Sequence, residues 1–557
     1  MTPIVSMILT AVGTLAVLIV INRLRRQRSG GSGERPWQTL ADDDTPVSEI
    51  AGWFEERRAT AVWADVVSDA TWKDLEGDAL FRALDFTDTP LGRQMLYMRL
   101  REPDAPDTRA LVEALAVVCA EDHRIRTAVR GALRDHRGSG GYRLHRLLRD
   151  RDLLPRWARL APYITALLVL GLLLMPTIPR ALIVVLPLAL AGLTVRLVGM
   201  SRVGSYIGPL RELAPVLRAA EQLAGLVDTL PMAPEQRAAL CAMLRPSVPL
   251  RQLRRIVRVV HPRFTLAEDV LASAYEYVNL LLLLDVNALL LCSRIMSRHH
   301  GALEQLCAAV GLFDVACAVA AYRSTRRWCT PTFATHTPTL RLLALQHPAL
   351  PEGVTNDVVL ERGRGLLLTG ANMSGKSTLL RAIGVNVLLG RAIATCTARE
   401  AVLPVTHVLT SIGHTDDLER GVSYFYAEAQ AVATLLRAAE RGPALFLFDE
   451  LFRGTNAAER VAAAEAVLRH ITIGTAQGAP QWVALASHDL QLGELLADCF
   501  DVAHLAVSAD GTSLVFEYRL QPGPATTRTA LTLLARCGVA ASVLTAARER
   551  AAALEAS

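Results

Sequence analysis

Leu366–Thr378, LLLTGANMSGKST, is the stretch on which the reading of this chain turns. A short apolar run that suits a buried strand leads into Gly370, four further residues, then Gly375, Lys376 and Ser377, which is the spacing of a phosphate-binding loop. Glycine at both ends lets the backbone curl and bring its N–H groups against phosphate oxygens. The helix expected to begin near Ser377 points its positive end at the same charge. Lys376 is placed to neutralise the β- and γ-phosphates and Ser377 to hold Mg²⁺. The expected ATP-binding stretch is therefore Gly370, Ala371, Asn372, Met373, Ser374, Gly375, Lys376, Ser377 and Thr378.

Downstream, Tyr424 to Ala438 has the spacing of a helix, and Ala444 to Phe448 is an apolar strand ending in Asp449-Glu450. That order puts one carboxylate, Asp449, into the shell of the metal and the next, Glu450, where it can orient or polarise water. A further strand, Trp482 to Ala486, ends in Ser487-His488, which brings an imidazole to the γ-phosphate. Catalysis is thus expected from Lys376, Glu450 and His488, with Ser377 and Asp449 on the metal. The fold class expected is an α/β C-terminal P-loop ATPase domain over 340–557, joined to an all-α core or lever region with transmembrane helices.

The rest of the composition fits that division. Of 557 residues, 51% are hydrophobic, above the ordinary soluble range, while a net charge of +5 over so long a chain does not by itself argue for a nucleic-acid surface. Nine cysteines, none in a C-x-x-C pair, suggest neither a disulfide framework nor a zinc site. Pro3 to Ile21 is uncharged and followed by Arg23, Arg25, Arg26 and Arg28, so residues 1–29 are expected to be an N-terminal anchor with its basic flank in the cytoplasm. Residues 30–160 turn to amphipathic helical spacing. Ala161 to Met175 and Ala181 to Val195 are two apolar runs around a Pro-Thr-Ile-Pro-Arg turn, bracketed by Arg149, Arg151, Arg156 and Arg159 before and Arg196, Arg202 and Arg211 after. This predicts a transmembrane hairpin over 161–200 with both ends cytoplasmic. Two buried core helices are the other way to read it. Residues 201–339 return to helical spacing, with a basic strip at Arg251, Arg254, Arg255 and Arg258 that suits a solvated face, DNA or anionic headgroups. Val278 to Cys292, leucine-rich but carrying Asn279, Asp285 and Asn287, reads as a buried helix.

TGANMSGKST, the Asp-Asp-Leu of HTDDLERGVSYFYAEA, FLFDELFRGTN and ALASHDL follow one another in an order that resembles the MutS family of ABC-type ATPases. Leu84, Asp85, Thr87, Thr89 and Gly92 resemble the entry to that family's core domain, and Gln346-His347-Pro348 resembles its Arg-His-Pro element. The resemblance implies ATP and Mg²⁺ as cofactors, a homodimer with composite sites in which Ser423 reaches the partner's γ-phosphate, and dimerisation through the helices Thr527 to Gly538 and Ala541 to Ala553. It departs from mismatch-repair members in that no mismatch-reading or connector module precedes the core match. The apolar hairpin stands where the family has a DNA-gripping clamp. Two functions follow as expectations: a membrane-anchored ATPase of the inner membrane, in contact with the lipid bilayer, that drives lever-helix motion; or a DNA-binding protein using ATP as a switch.

Overall fold

The computed structural model describes residues 36–555, apart from 42–44, 61–65, 104–105, 137–138, 150–155, 175–176, 179–181, 261–277, 281, 335–337, 351, 372, 414–423, 441, 475–478, 511–512 and 526–538. The expected N-terminal anchor, Asn372, Ser423 and the first of the two closing helices fall outside the described residues. The chain forms two compact units, each discontinuous: Met1–Thr60, Phe86–Leu96 and Ala114–Ala321 make the first, and Ala61–Asp85, Tyr97–Glu113 and Tyr322–Ser557 the second.

Among its described residues the second unit carries ten strands: β1 (Thr332–Phe333), β2 (Thr339–Leu345), β3 (Asn356–Glu361), β4 (Gly365–Thr369), β5 (Glu400–Leu403), β6 (His407–Ser411), β7 (Ala444–Asp449), β8 (Trp482–Ala486), β9 (Phe500–Asp510) and β10 (Ser513–Pro522). A six-stranded sheet runs β10-β9-β4-β8-β7-β6, and a four-stranded one β1-β5-β2-β3. In the larger sheet every pairing is parallel except that of β9 with β10 at the edge. Its interior strands are short continuous apolar runs because both faces are covered: GLLLT and WVALA are buried at every position. On one face Phe446, Phe448 and Phe500 pack against Ala464, Leu468 and Ile471 of the helix Ala457–Ile473. The phosphate-loop helix, Lys376–Ile393, is buried at fifteen of its eighteen positions.

The sequence boundaries placed all of 30–160 in the helical module, whereas Ala61–Asp85 and Tyr97–Glu113 cluster with the sheets. The contacts that draw the first segment there are specific. The Asp74 carboxylate accepts from Thr410 Oγ1 and from Ile412 N, both at 2.8 Å, at the end of β6. Arg381, on the phosphate-loop helix, donates to the Asp74 carbonyl at 2.8 Å. The first strand begins at Thr332, a few residues before the boundary expected near 340.

The first unit is helical. Within it, the Thr87-to-Gly92 part of the motif has a structural meaning: Thr89 precedes the helix Pro90–Arg101, and its hydroxyl accepts from Gly92 N at 3.0 Å, an N-terminal cap with proline at the first helical position. Asp314, on the helix His300–Ser324, accepts from Asp88 N at 2.9 Å, Thr89 N at 2.8 Å and Thr89 Oγ1 at 2.6 Å. A Cβ at Gly92 would sit 2.1 Å from Asp314 Oδ2, and one at Gly311 would sit 2.3 Å from Met95, so the two helices cross at a pair of glycines.

The apolar hairpin is present as Ala161–Leu174 and the start of Leu182–Val227, a single 46-residue helix that continues past the expected span. Gly171 packs against Val185 where the two antiparallel arms meet. Among the described residues their outer faces are exposed: Leu173 and Ile183 are 72% and 73% exposed. The leucine-rich stretch forms the helix Leu284–Arg298, buried along Val286, Leu289 and Cys292. It is tied to the hairpin base by Thr165, whose hydroxyl donates to the Leu282 carbonyl at 2.9 Å and accepts from Asn287 Nδ2 at 2.9 Å.

Candidate active site

Strand register sets the site. Leu368 of β4 and Asp449 of β7 both lie level with Ala486 of β8, the strand between them. Ser487 N donates to the Leu368 carbonyl at 3.0 Å and Glu450 N to the Ala486 carbonyl at 2.9 Å, so three chain segments leave one sheet edge together. The phosphate loop leaves β4, the two carboxylates leave β7, and His488 emerges between them.

In the loop, Gly370, Met373 and Gly375 have φ of 131°, 69° and 98°. Gly375 cannot carry a side chain cheaply: its φ is left-handed, and a Cβ there would lie 3.0 Å from the Tyr518 ring. The Lys376 ammonium folds back to donate to the Gly370 and Ala371 carbonyls, each at 2.8 Å. Burial lowers its pKa from the usual lysine range, an effect opposed by the Asp449 and Glu450 carboxylates. Ser377 Oγ donates to Asp449 Oδ2 at 2.5 Å, which joins the two residues expected on the metal. Ser374 is buried with no hydrogen-bond partner for its hydroxyl, an orphaned polar group inside a loop whose shape fits an anion. Thr378 and Met373 are exposed along the same rim.

Glu450 is held from two sides. Its Oε1 lies 2.8 Å from His488 Nε2 and its Oε2 lies 2.6 Å from Arg453 Nε. The hydrogen bond from His488 is the largest of the effects that lower its pKa, so Glu450 is a carboxylate at neutral pH and able to accept a proton. Its backbone φ is 56° and that of Phe452 is 61°, a left-handed pair that costs each residue about 1–2 kcal/mol.

These groups line a cleft of about 880 Å³. Phosphate-side residues Lys376, Ser377, Asp449, Glu450, Arg453 and His488 share it with His347, Leu350, Val354 and Tyr518, an apolar and aromatic set that suits a base. Asn356 holds Tyr518 in place: its Nδ2 donates to the Tyr518 carbonyl at 2.9 Å and its Oδ1 accepts from Leu520 N at 2.6 Å, across the irregular register of β10. Tyr518, Asn356 and the clamping role of Arg453 were not found from the sequence, because no local pattern marks a side chain that reaches the loop from β3 or β10. Among the residues expected at the site, Lys376, Ser377, Thr378, Asp449, Glu450 and His488 line one cleft. The basic strip lies on the helix Val248–Val260, where Leu250, Leu253 and Val257 are buried, Arg254 pairs with Glu221, and Arg251 and Arg255 face outward.

A phosphate loop at the end of a central parallel strand, with a carboxylate pair level with it and an imidazole between, defines a P-loop nucleotide-binding domain. Residues 366–555 match the family model of MutS domain V. That model is the ATPase domain of the MutS family, so residues 366–555 are a MutS-type ATPase domain, a kind of domain that binds ATP, usually with Mg²⁺.

Proposed function

We propose that this protein is a membrane-anchored ATPase that hydrolyses ATP with Mg²⁺ and works as a homodimer, using the cycle to move its long helices. The observation that carries the hydrolytic part is the Glu450 carboxylate, ionised, aimed at the cleft and oriented by His488 at 2.8 Å and Arg453 at 2.6 Å. In this reading the loop from Gly370 to Thr378 cradles the phosphates, Lys376 turns from the loop carbonyls toward phosphate oxygens, and Ser377 with Asp449 holds the metal. The metal would supply charge neutralisation on the phosphates. Glu450 takes the proton from attacking water, and His488 keeps the carboxylate in place while facing the γ-phosphate. The trans role of Ser423 rests on the family resemblance.

Support for the membrane comes from the hairpin, whose outer faces are uncharged, apolar and exposed. Each arm is short for a bilayer: fourteen residues of helix Ala161–Leu174 span about 21 Å. In this reading both ends are cytoplasmic, which the flanking arginines support. The DNA-binding alternative draws less support, since the basic helix buries one face and commits Arg254 to Glu221.

The test is ATP binding and phosphate release by the detergent-solubilised full chain. Lys376→Ala should lose both. Glu450→Gln should keep ATP bound while hydrolysis falls by about 10²-fold or more. Wild-type turnover in Glu450→Gln would remove the proposed mechanism.

A further inference from the structure

We infer that Glu428 is a positioning residue for the catalytic carboxylate, acting through the turn Glu450–Arg453; the inference rests on the ATPase reading above. Glu428 lies on the helix Tyr424–Ala439 and is 1% exposed. Its Oε1 accepts a hydrogen bond from Phe452 N at 2.5 Å. Phe452 is one of two non-glycine residues in the left-handed region within this turn, the other being Glu450 itself. Such a conformation is unfavourable for both and persists only where the surroundings fix it.

Three anchors fix this one. Glu450 N is bonded to the Ala486 carbonyl on β8, which sets where the turn starts. Leu451 and Phe452 are each 5% exposed and belong to the core around Phe446 and Leu468, which sets its depth. Glu428 supplies the third by holding the Phe452 amide. Apolar packing is non-directional and does not select a peptide orientation, whereas a carboxylate accepting from one N–H does. Without that acceptor the buried amide loses its partner, and the peptide is released to rotate toward an ordinary negative φ. Rotation would carry Arg453 away from Glu450 Oε2 and shift Glu450 relative to His488. The phosphate loop, on a different strand, would be untouched. Glu428 is therefore expected to govern turnover and to leave nucleotide binding alone.

The experiment compares Glu428→Ala, Glu428→Asp and Glu428→Gln in the full chain, reading kcat, KM, ATP affinity and thermal midpoint, with Glu450→Gln in parallel. Glutamine keeps an acceptor oxygen at the same reach, so Glu428→Gln should stay within about threefold of wild type. Alanine has no acceptor and aspartate falls one methylene short, so both should lose about 10- to 100-fold in kcat with KM and ATP affinity nearly unchanged. If Glu428→Ala fails to fold, the contrast between aspartate and glutamine decides. Wild-type kcat in Glu428→Asp overturns the inference, as does a fall in kcat matched by an equal fall in ATP affinity and melting, which marks a merely structural group. The two failures separate: if Glu450→Gln retains turnover, the ATPase mechanism falls and the inference with it, whereas loss in Glu450→Gln with no loss in Glu428→Asp removes only the role of Glu428.

Discussion

Two apolar helical regions of the helical unit look alike in composition and differ in what covers them. His300–Ser324 is the one described helix long and apolar enough to cross a membrane, with a mean hydropathy of 1.7 over its best window, yet 89% of that window is buried. The hairpin arms are shorter, and leucines and isoleucines such as Leu167, Leu170, Leu173, Ile183 and Leu186 face outward. Hydropathy alone picks the helix that is buried. What separates them is interlocking: His300–Ser324 has a glycine against Met95 and a carboxylate wired to three donors, features that only a specific protein neighbour can satisfy. The hairpin has Gly171 against Val185 on its inner side and Thr165 bonded at its base, while its outer side carries exposed branched apolar groups.

Breaking the wired side should produce the largest effect. In Asp314→Asn the side-chain NH₂ would face at least one of the three donors in either amide orientation, and we expect the helical unit to lose about 3 kcal/mol, measured by denaturant midpoint. A pH series sharpens this. Burial, together with the neighbouring Asp88 carboxylate, pushes Asp314 up to about 7, so the folded chain takes up a proton that the unfolded chain, near about 3.9, does not. Relative to the variant, the wild type should therefore gain stability as pH falls from about 7 toward about 4, and the gain should level off below that. An equal pH response in both would refute the assignment.

On the exposed side the same kind of change should spare folding and alter partition. Leu170→Arg places a charge on the outward face of the first arm and should cost about 2.5–3.5 kcal/mol of lipid partition, seen as loss of flotation with anionic liposomes. Its melting midpoint should move by less than about 0.5 kcal/mol equivalent. Unfolding on this substitution would mean that the face is a protein contact. The smallest effect is expected at the seam between the two kinds of surface. Thr165→Val removes the hydroxyl shared by Leu282 and Asn287 and should loosen the hairpin base by about 1 kcal/mol, read by faster amide exchange in Leu284–Arg298.

Local chemistry was legible in the sequence and distant chemistry was not. The run Trp482–Ala486 is strand β8 to the residue, and Ala444–Asp449 extends the expected strand by one position, because buried parallel strands are written as continuous apolar runs. The phosphate loop was readable for the same reason: strand, loop and helix are consecutive in the chain. Tyr518 was invisible because it meets Gly375 across more than a hundred positions, and Asn356 because the bond that ties it to Tyr518 spans 162, with no periodic signal to announce either. The membership of Ala61–Asp85 in the ATPase unit was hidden likewise, since it rests on Asp74 bonding to Thr410 and Ile412. The Leu84-to-Gly92 motif lay between these cases. Its residues were recognisable, but why Gly92 must be glycine appears only when Asp314 is seen above it.

The helix Leu182–Val227 has a mechanical consequence. Its forty-six residues amount to a shaft of about 69 Å, apolar and exposed at one end and buried through its own Leu213, Leu217 and Leu223 toward the other, with no loop between. Prolines at 187, 209 and 215 bend such a shaft without unlinking it. If the hairpin is seated in lipid, the bilayer normal becomes the reference direction for the helical unit. A thicker or thinner membrane would then tilt the far end of the shaft, so bilayer thickness would be a variable to which this protein is mechanically sensitive.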